Sequence, residues 1–375
     1  MKLKILHIQE TIASGGVEKL RLLLAKYLDK NRYEQKIICT HKAGIIIEDF
    51  AKEGVEIISI GSFNGVFDIK QYRKVIDIIN EYKPDIIHGA VFEGVIMACV
   101  CGFIKKVPII IAEETSDPQN RSKKASFLLW LLCLVAQKVV AISPGTEEYL
   151  RKIAKIPQKK IQLINNGVEY PRIVTSDEID LARKKLNIMP NEIIVGSVGR
   201  LHDDVKKFTD IVKAFSILKD YSNIKLLIVG DGPDKQTIIQ TAEELGISDK
   251  IIMVGYQYDT ALYYKLMDIY CIASQHEGFG LVAAEAMLNG LPVVATAVGG
   301  LKSIVIDGET GFLVLPNNPE ILAEKLEILI KDLELRLALG ENGKKRAMNE
   351  YTADIYISKI NELYQNLIET HHAKR

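Results

Sequence analysis

Two glutamates eight positions apart, Glu277 and Glu285, flank the segment Gly278-Phe279-Gly280 and form the most chemically loaded stretch of this chain. The run SQHEGFGLVAAEAMLNG, residues 274–290, follows a β-branched stretch at Asp268 to Ala273 and turns helical near Leu281. Glycines at 278 and 280 let the backbone approach a ligand closely. A helix start carries roughly half a positive charge and unpaired N–H donors, so the amides of Phe279, Gly280 and Leu281 suit a diphosphate. Glu285 lies further into the helix, directed back toward the same mouth. The plainer reading is a glycine-rich turn with two solvated carboxylates.

A second set is cationic. Arg200 follows the strand-like run Ile193 to Val198, and Lys206 and Lys207 open the next helix. On a strand-end loop, Arg200 and Lys206 could neutralise phosphate oxygens where charge grows on a leaving group, a task that a metal performs elsewhere. Ion pairs with Asp203 or Asp204 are the alternative, weaker for Arg200. No metal box is expected: the two aspartates stand alone, and the seven histidines show neither HxxxH nor HxH. Nearer the start, Ser14-Gly-Gly-Val-Glu18 lies between a strand and a helix, where Gly15 and Gly16 leave room for a sugar or phosphate. His88 closes the run Asp85 to His88, and Glu114 follows Pro108 to Ala112, so both are expected to face a ligand.

Positioning these residues requires two α/β layers. Short runs at Ile5–Ile8, Lys36–Thr40, Val55–Ile60, Asp85–His88, Pro108–Ala112 and Val139–Ile142 alternate with amphipathic stretches, which predicts a parallel sheet covered on both faces. Asn-Asn-Gly and a proline within 165–175 interrupt the pattern. It restarts at Ile193–Val198, Lys225–Val229, Lys250–Val254, Asp268–Ala273, Pro292–Ala295 and Phe312–Leu315. The fold class is therefore α/β, with two doubly wound, Rossmann-like domains, and 375 residues suffice for both. The first is expected over 1–168 and the second over 169–351, with a helix over 352–372 returning to the first. Open sheets of this kind bind ligands at the carboxyl ends of their strands, which predicts a cleft between facing domains.

Composition narrows the class. Forty-eight basic and 48 acidic side chains cancel, so bulk charge gives no argument for nucleic acid. The five cysteines lie mostly in apolar runs without a CxxC pair and read as reduced core thiols. No signal-peptide pattern opens the sequence, and a cytoplasmic location is expected. The apolar segment Phe127 to Ala136, preceded by Arg121, Lys123 and Lys124, is too short to span a bilayer, which takes about 20 residues. A buried helix is favoured over an interfacial one, and peripheral contact with the inner face of a membrane stays open.

The motifs GGVE (15–18), PDIIH (84–88), NNGV (165–168), GRL (199–201), GDGP (230–233), EGFGLVAAEAM (277–287) and GG (299–300) together resemble retaining glycosyltransferases of family 4. That family has the two-Rossmann-domain GT-B architecture of glycogen synthase and many bacterial glycan transferases. The resemblance implies that Arg200 and Lys206 bind the donor diphosphate, Glu285 the ribose hydroxyls and Glu277 the transferred sugar, with Gly16 backing the phosphates. It implies a hexosyl or N-acetylhexosaminyl transfer from a nucleotide diphosphate sugar, UDP favoured, to an acceptor hydroxyl on a saccharide or lipid-linked saccharide. No cofactor is implied, and bacterial surface glycan or glycolipid synthesis is the expected setting.

Two positions depart from the pattern. Glu114 stands where the family often has a histidine over the donor sugar, and a carboxylate can only accept a hydrogen bond. After the GG turn the family's frequent glutamate is replaced by Leu301-Lys-Ser303, leaving nearby amides for its task. A sugar-nucleotide epimerase of the same fold and a non-catalytic sugar-nucleotide binding protein are the rival readings. A nicotinamide dehydrogenase is disfavoured because neither first-strand loop reads G-x-G-x-x-G.

Overall fold

Runs of β-branched residues buried on both faces of a strand demand helices above and below, and the chain supplies them between its strands. The computed structural model describes residues 2–13, 15–65, 67–116 and 121–373, which divide into two units, 1–167 with 353–375 and 168–352.

In the first unit the elements are β1 (Leu3–Ile12), α1 (Gly16–Tyr27), β2 (Tyr33–Lys42), α2 (Ile46–Lys52), β3 (Glu56–Ser59), α3 (Ile69–Tyr82) and β4 (Ile86–Ala90). They continue with α4 (Val91–Ile104), β5 (Ile109–Glu114), α5 (Lys123–Val135), β6 (Lys138–Ala141), α6 (Pro144–Lys152) and β7 (Ile161–Leu163). The seven strands form one sheet in the order β3-β2-β1-β4-β5-β6-β7, with every pairing parallel. From β4 to β7 the order steps in one direction, so right-handed crossovers place α4, α5 and α6 on the same face. Their apolar sides share one core, in which Val95 and Cys99 of α4 meet Leu129 and Cys133 of α5 and Leu150 of α6.

The second unit holds α7 (Ser176–Lys185), β8 (Ile193–Val198), α8 (Asp203–Lys206), α9 (Phe208–Ile217), β9 (Ile224–Val229), α10 (Lys235–Glu244) and β10 (Ile251–Met253). Next come α11 (Ala261–Leu266), β11 (Ile269–Ile272), α12 (Leu281–Leu288), β12 (Val293–Thr296), α13 (Leu301–Ile304), β13 (Gly311–Val314), α14 (Pro319–Lys331) and α15 (Leu333–Glu350). Its parallel sheet runs β10-β9-β8-β11-β12-β13, the reversal at β8 and β11 being a topological switch point where such sheets open to ligands. The last helix, α16 (Ala353–His372), packs with α1 and β5 and buries Tyr356, Ile360 and Tyr364 in the first unit.

Several boundaries differ from the sequence reading. Strand β4 continues to Ala90 and β5 to Glu114, and β7 carries no sequence signal because three residues are too few for a period. The five cysteines are buried and unbridged. Among the described residues no helix is long and apolar enough to cross a membrane.

Candidate active site

The switch-point loop of the second unit is built by close packing. Gly280 caps α12 in the left-handed region (φ +110°), and a Cβ there would come 2.7 Å from Leu301 Cδ2. At Gly300 a Cβ would fall onto the backbone of Phe279, so the GG turn exists to let this segment close on the loop. Phe279 itself is buried edge-on against Tyr351, with centroids 5.5 Å apart. It therefore offers a ligand only its amide. The amides of Phe279, Gly280 and Leu281 donate to no group among the described residues, whereas that of Gly300 is bound to Glu277 O (2.9 Å) and that of Leu301 to Val298 O (3.0 Å). The expectation that amides after the GG turn stand in for the family glutamate is corrected for these two.

The cations arrive from β8. The short helix α8 ends where Lys207 takes a left-handed conformation, and Asp203 ties down the first turn of α9 by accepting from Thr209 N (2.9 Å) and Oγ1 (2.6 Å). Gln275 N donates to Val205 O (2.7 Å), fastening the glutamate loop to α8. This fastening brings Lys206 Nζ to 2.6 Å from Glu277 Oε2, which also accepts from Ser274 Oγ at 3.3 Å. Glu277 Oε1 takes no donor among the described residues. Arg200 is exposed and forms no ion pair among them. In α12, half-buried Glu285 accepts from the Tyr264 hydroxyl (2.8 Å) through Oε2. Burial, and next the neighbouring Glu285, raise the Tyr264 phenol well above its ordinary value, so it stays a donor. Lys206, Ser274 and Glu277 are thus one cluster, and Tyr264 was not anticipated from sequence. Among the described residues no group of three or more His, Cys, Asp or Glu side chains is placed to hold a metal ion.

In the first unit, Gly15 is the extended N-cap of α1 and Gly16 its first residue; Ser14 lies outside the described residues. Glu18 folds back beneath Gly15 and accepts from Thr11 Oγ1 (3.1 Å) and Ala13 N (3.4 Å), tying the loop down. Two expectations are corrected here. His88 does not face a ligand: β4 runs two residues beyond it, and the ring is wholly buried with Nδ1 2.8 Å from the Tyr364 hydroxyl and Nε2 3.0 Å from Glu113 Oε2. Nor is Glu114 a bare acceptor. Arg121 grips both its oxygens, Ser116 Oγ donates to Oε1 at 2.6 Å, and the guanidinium stacks over Phe92 (5.1 Å) and Tyr149 (5.7 Å).

The residue that sequence reading passed over is Glu113. Its Oε2 meets Arg21 Nη2 at 2.5 Å, with side-chain exposures of 2% and 0%. Burial alone would raise the Glu113 carboxyl, but Arg21 and then His88 outweigh it and hold it at about 2. Burial, and next Arg21, push His88 down to about 4, and neighbouring His7 is lowered as well. Both rings are therefore neutral in the folded chain near neutrality. Below the ordinary histidine value the unfolded chain binds protons that the folded chain does not, so stability falls on acidification. For His88 alone the loss is roughly 2 kcal/mol between about pH 7 and pH 5. Urea melts across that range are expected to show this slope, and His88→Asn is expected to flatten it; an unchanged slope would place the acid sensitivity elsewhere.

Against this geometry, comparison with known proteins is direct. The model for Glycosyl transferases group 1 matches residues 178–346, and that for Glycosyltransferase Family 4 matches residues 14–171. The chain is 26% identical over 320 residues to the capsular polysaccharide biosynthesis glycosyltransferase CapM of Staphylococcus aureus, covering 82% of this chain and 83% of that one. It is 22% identical to the UDP-Gal:alpha-D-GlcNAc-diphosphoundecaprenol alpha-1,3-galactosyltransferase of Escherichia coli over 98% of each. Among solved structures, a glycosyltransferase of Rickettsia africae shares the fold with a TM-score of 0.83 at 24% identity, covering 98% of this chain and 99% of that one. Anabaena HepE in complex with UDP-glucose shares it at 0.86 and 21%, covering 97% and 100%. Two parallel Rossmann-like sheets, shared with these solved structures, give the chain the GT-B fold. The two models, which between them take in most of the chain, and these relatives make it a glycosyltransferase of the family 4 type.

Proposed function

We propose that this glycosyltransferase moves a hexosyl or N-acetylhexosaminyl group from a UDP-sugar to an acceptor hydroxyl with retention of configuration and without a metal, in bacterial surface glycan or glycolipid synthesis. The observation that carries the reading is the Lys206–Glu277 pair at the amide-rich start of α12. Lys206, exposed Arg200 and the amides of Phe279, Gly280 and Leu281 form a cationic cradle for a diphosphate leaving group. Glu277, held through Oε2, presents Oε1 to accept from a sugar hydroxyl, and Glu285, steadied by Tyr264, accepts from the ribose.

In this mechanism the anomeric C–O bond to the β-phosphate breaks as the acceptor oxygen bonds to the same carbon from the same face. The acceptor proton passes to the departing phosphate oxygen, and the charge developing there is met by Arg200 and Lys206. Support for the donor class comes from one relative whose name specifies UDP-Gal and from a structural neighbour in complex with UDP-glucose. The capsular relative supports the setting. A thermal-shift panel of UDP-, GDP- and ADP-sugars, run with and without EDTA, tests the reading. A UDP-sugar at about 100 times its dissociation constant is expected to stabilise by about 2.7 kcal/mol. No shift with any of the three, or a shift that EDTA abolishes, would overturn the donor site or its metal independence respectively.

A further inference from the structure

On α5 the residues Phe127, Leu131 and Leu134 recur at helical spacing, and they are 63%, 49% and 43% exposed. Isolated exposed apolar residues are ordinary, but these three form one stripe, and Trp130 stacks on Phe127 with ring centroids 5.6 Å apart. Charge in the segment that carries the stripe is one-sided. Between residues 121 and 160 nine lysines and arginines accompany two glutamates, in a chain whose charges cancel as a whole. Lys123 and Lys124 at the start of α5, and Arg151 and Lys155 around the end of neighbouring α6, are exposed and form no ion pair among the described residues. Exposed Ile153 lies between the latter two.

We infer that this face of the first unit docks on an anionic lipid surface, with the Phe127, Leu131 and Leu134 stripe entering the headgroup boundary and the flanking cations meeting lipid phosphates. A helix of 13 residues lying in the plane needs an apolar side flanked by cations, and α5 with its neighbours provides both. Nucleic acid would use the cations but gains nothing from an aliphatic stripe at their centre. A second copy of the chain would cover the stripe but would bring the same excess of positive charge against itself. The inference goes beyond the proposed reaction and does not depend on the donor site, whose thermal shift is read in lipid-free solution.

Flotation of the full chain with vesicles of phosphatidylcholine, or of phosphatidylcholine mixed with phosphatidylglycerol, tests the inference. Binding to the anionic vesicles alone is expected, weakened by added salt. Paired substitutions Lys123→Ser with Lys124→Ser, or Phe127→Ser with Leu131→Ser, are each expected to lower the partition coefficient by at least about tenfold. These side chains are exposed, so the melting temperature and the donor-induced shift are expected to stay as in the parent chain. Flotation with both vesicle types or with neither, or serine variants that float like the parent, would overturn the proposal. So would a dimer, seen by sedimentation, that Phe127→Ser dissociates.

Discussion

Arg200→Ala is expected to lower the rate of sugar transfer by about 10²- to 10³-fold while leaving the melting temperature unchanged, and Lys206→Ala to lower it by a similar factor. The two separate in stability. Arg200 is exposed without an ion pair among the described residues, so truncation strands no partner. Removing Lys206 leaves Glu277 Oε2 with only the 3.3 Å bond from Ser274, so some loss of stability accompanies the loss of rate. Because both cations are assigned to charge that develops as the bond breaks, the loss should fall on kcat more than on KM. Steady-state kinetics with a saturating acceptor distinguish the cases. Full activity in both variants would end the assignment, and a rise in KM alone would make them ground-state binders.

Glu113→Ala is expected to destabilise the first unit by about 3–5 kcal/mol, a large part of the roughly 5–15 kcal/mol that holds a typical domain folded. The reason is asymmetric. A buried ion pair contributes little net stability, but an Arg21 left without its partner is an uncompensated charge in a medium that cannot solvate it. Arg21→Met combined with Glu113→Leu removes both charges and should cost far less than the two single changes added together. Urea melts of the two single variants and the pair measure the coupling. A Glu113→Ala chain that melts like the parent would show that the ion pair carries no such weight.

The parts of the fold and site that could be read from sequence were local. Alternating β-branched runs and amphipathic stretches announce parallel sheets because both faces of each strand are buried. The segment from Glu277 to Glu285 is legible because a strand end, two glycines and a helix start lie within one short stretch. What escaped was assembled from distant parts. Arg21 sits in LRLLLA, where an arginine resembles the solvent side of a helix, yet α16 and β5 close over it. Nothing near Glu113 signals a partner 92 positions earlier. His88 was misread because a boundary set two residues short turned a mid-strand side chain into a strand-end one. Glu114 was read as open because its partner Arg121 sits in sequence with the basic lead-in to α5.

The first unit is discontinuous, residues 1–167 being completed by 353–375, while the second is a single uninterrupted stretch. During synthesis, therefore, the segment that leaves the ribosome first cannot finish first. Until α16 emerges, the positions that Tyr356, Ile360 and Tyr364 fill over α1 and β5 stay open, and Arg21, Glu113 and His88 remain hydrated. The second unit has every strand of its sheet in hand before then and can close on its own. Order of birth and order of completion are opposed, which makes the nascent first unit the stage of this chain's life most in need of chaperone protection.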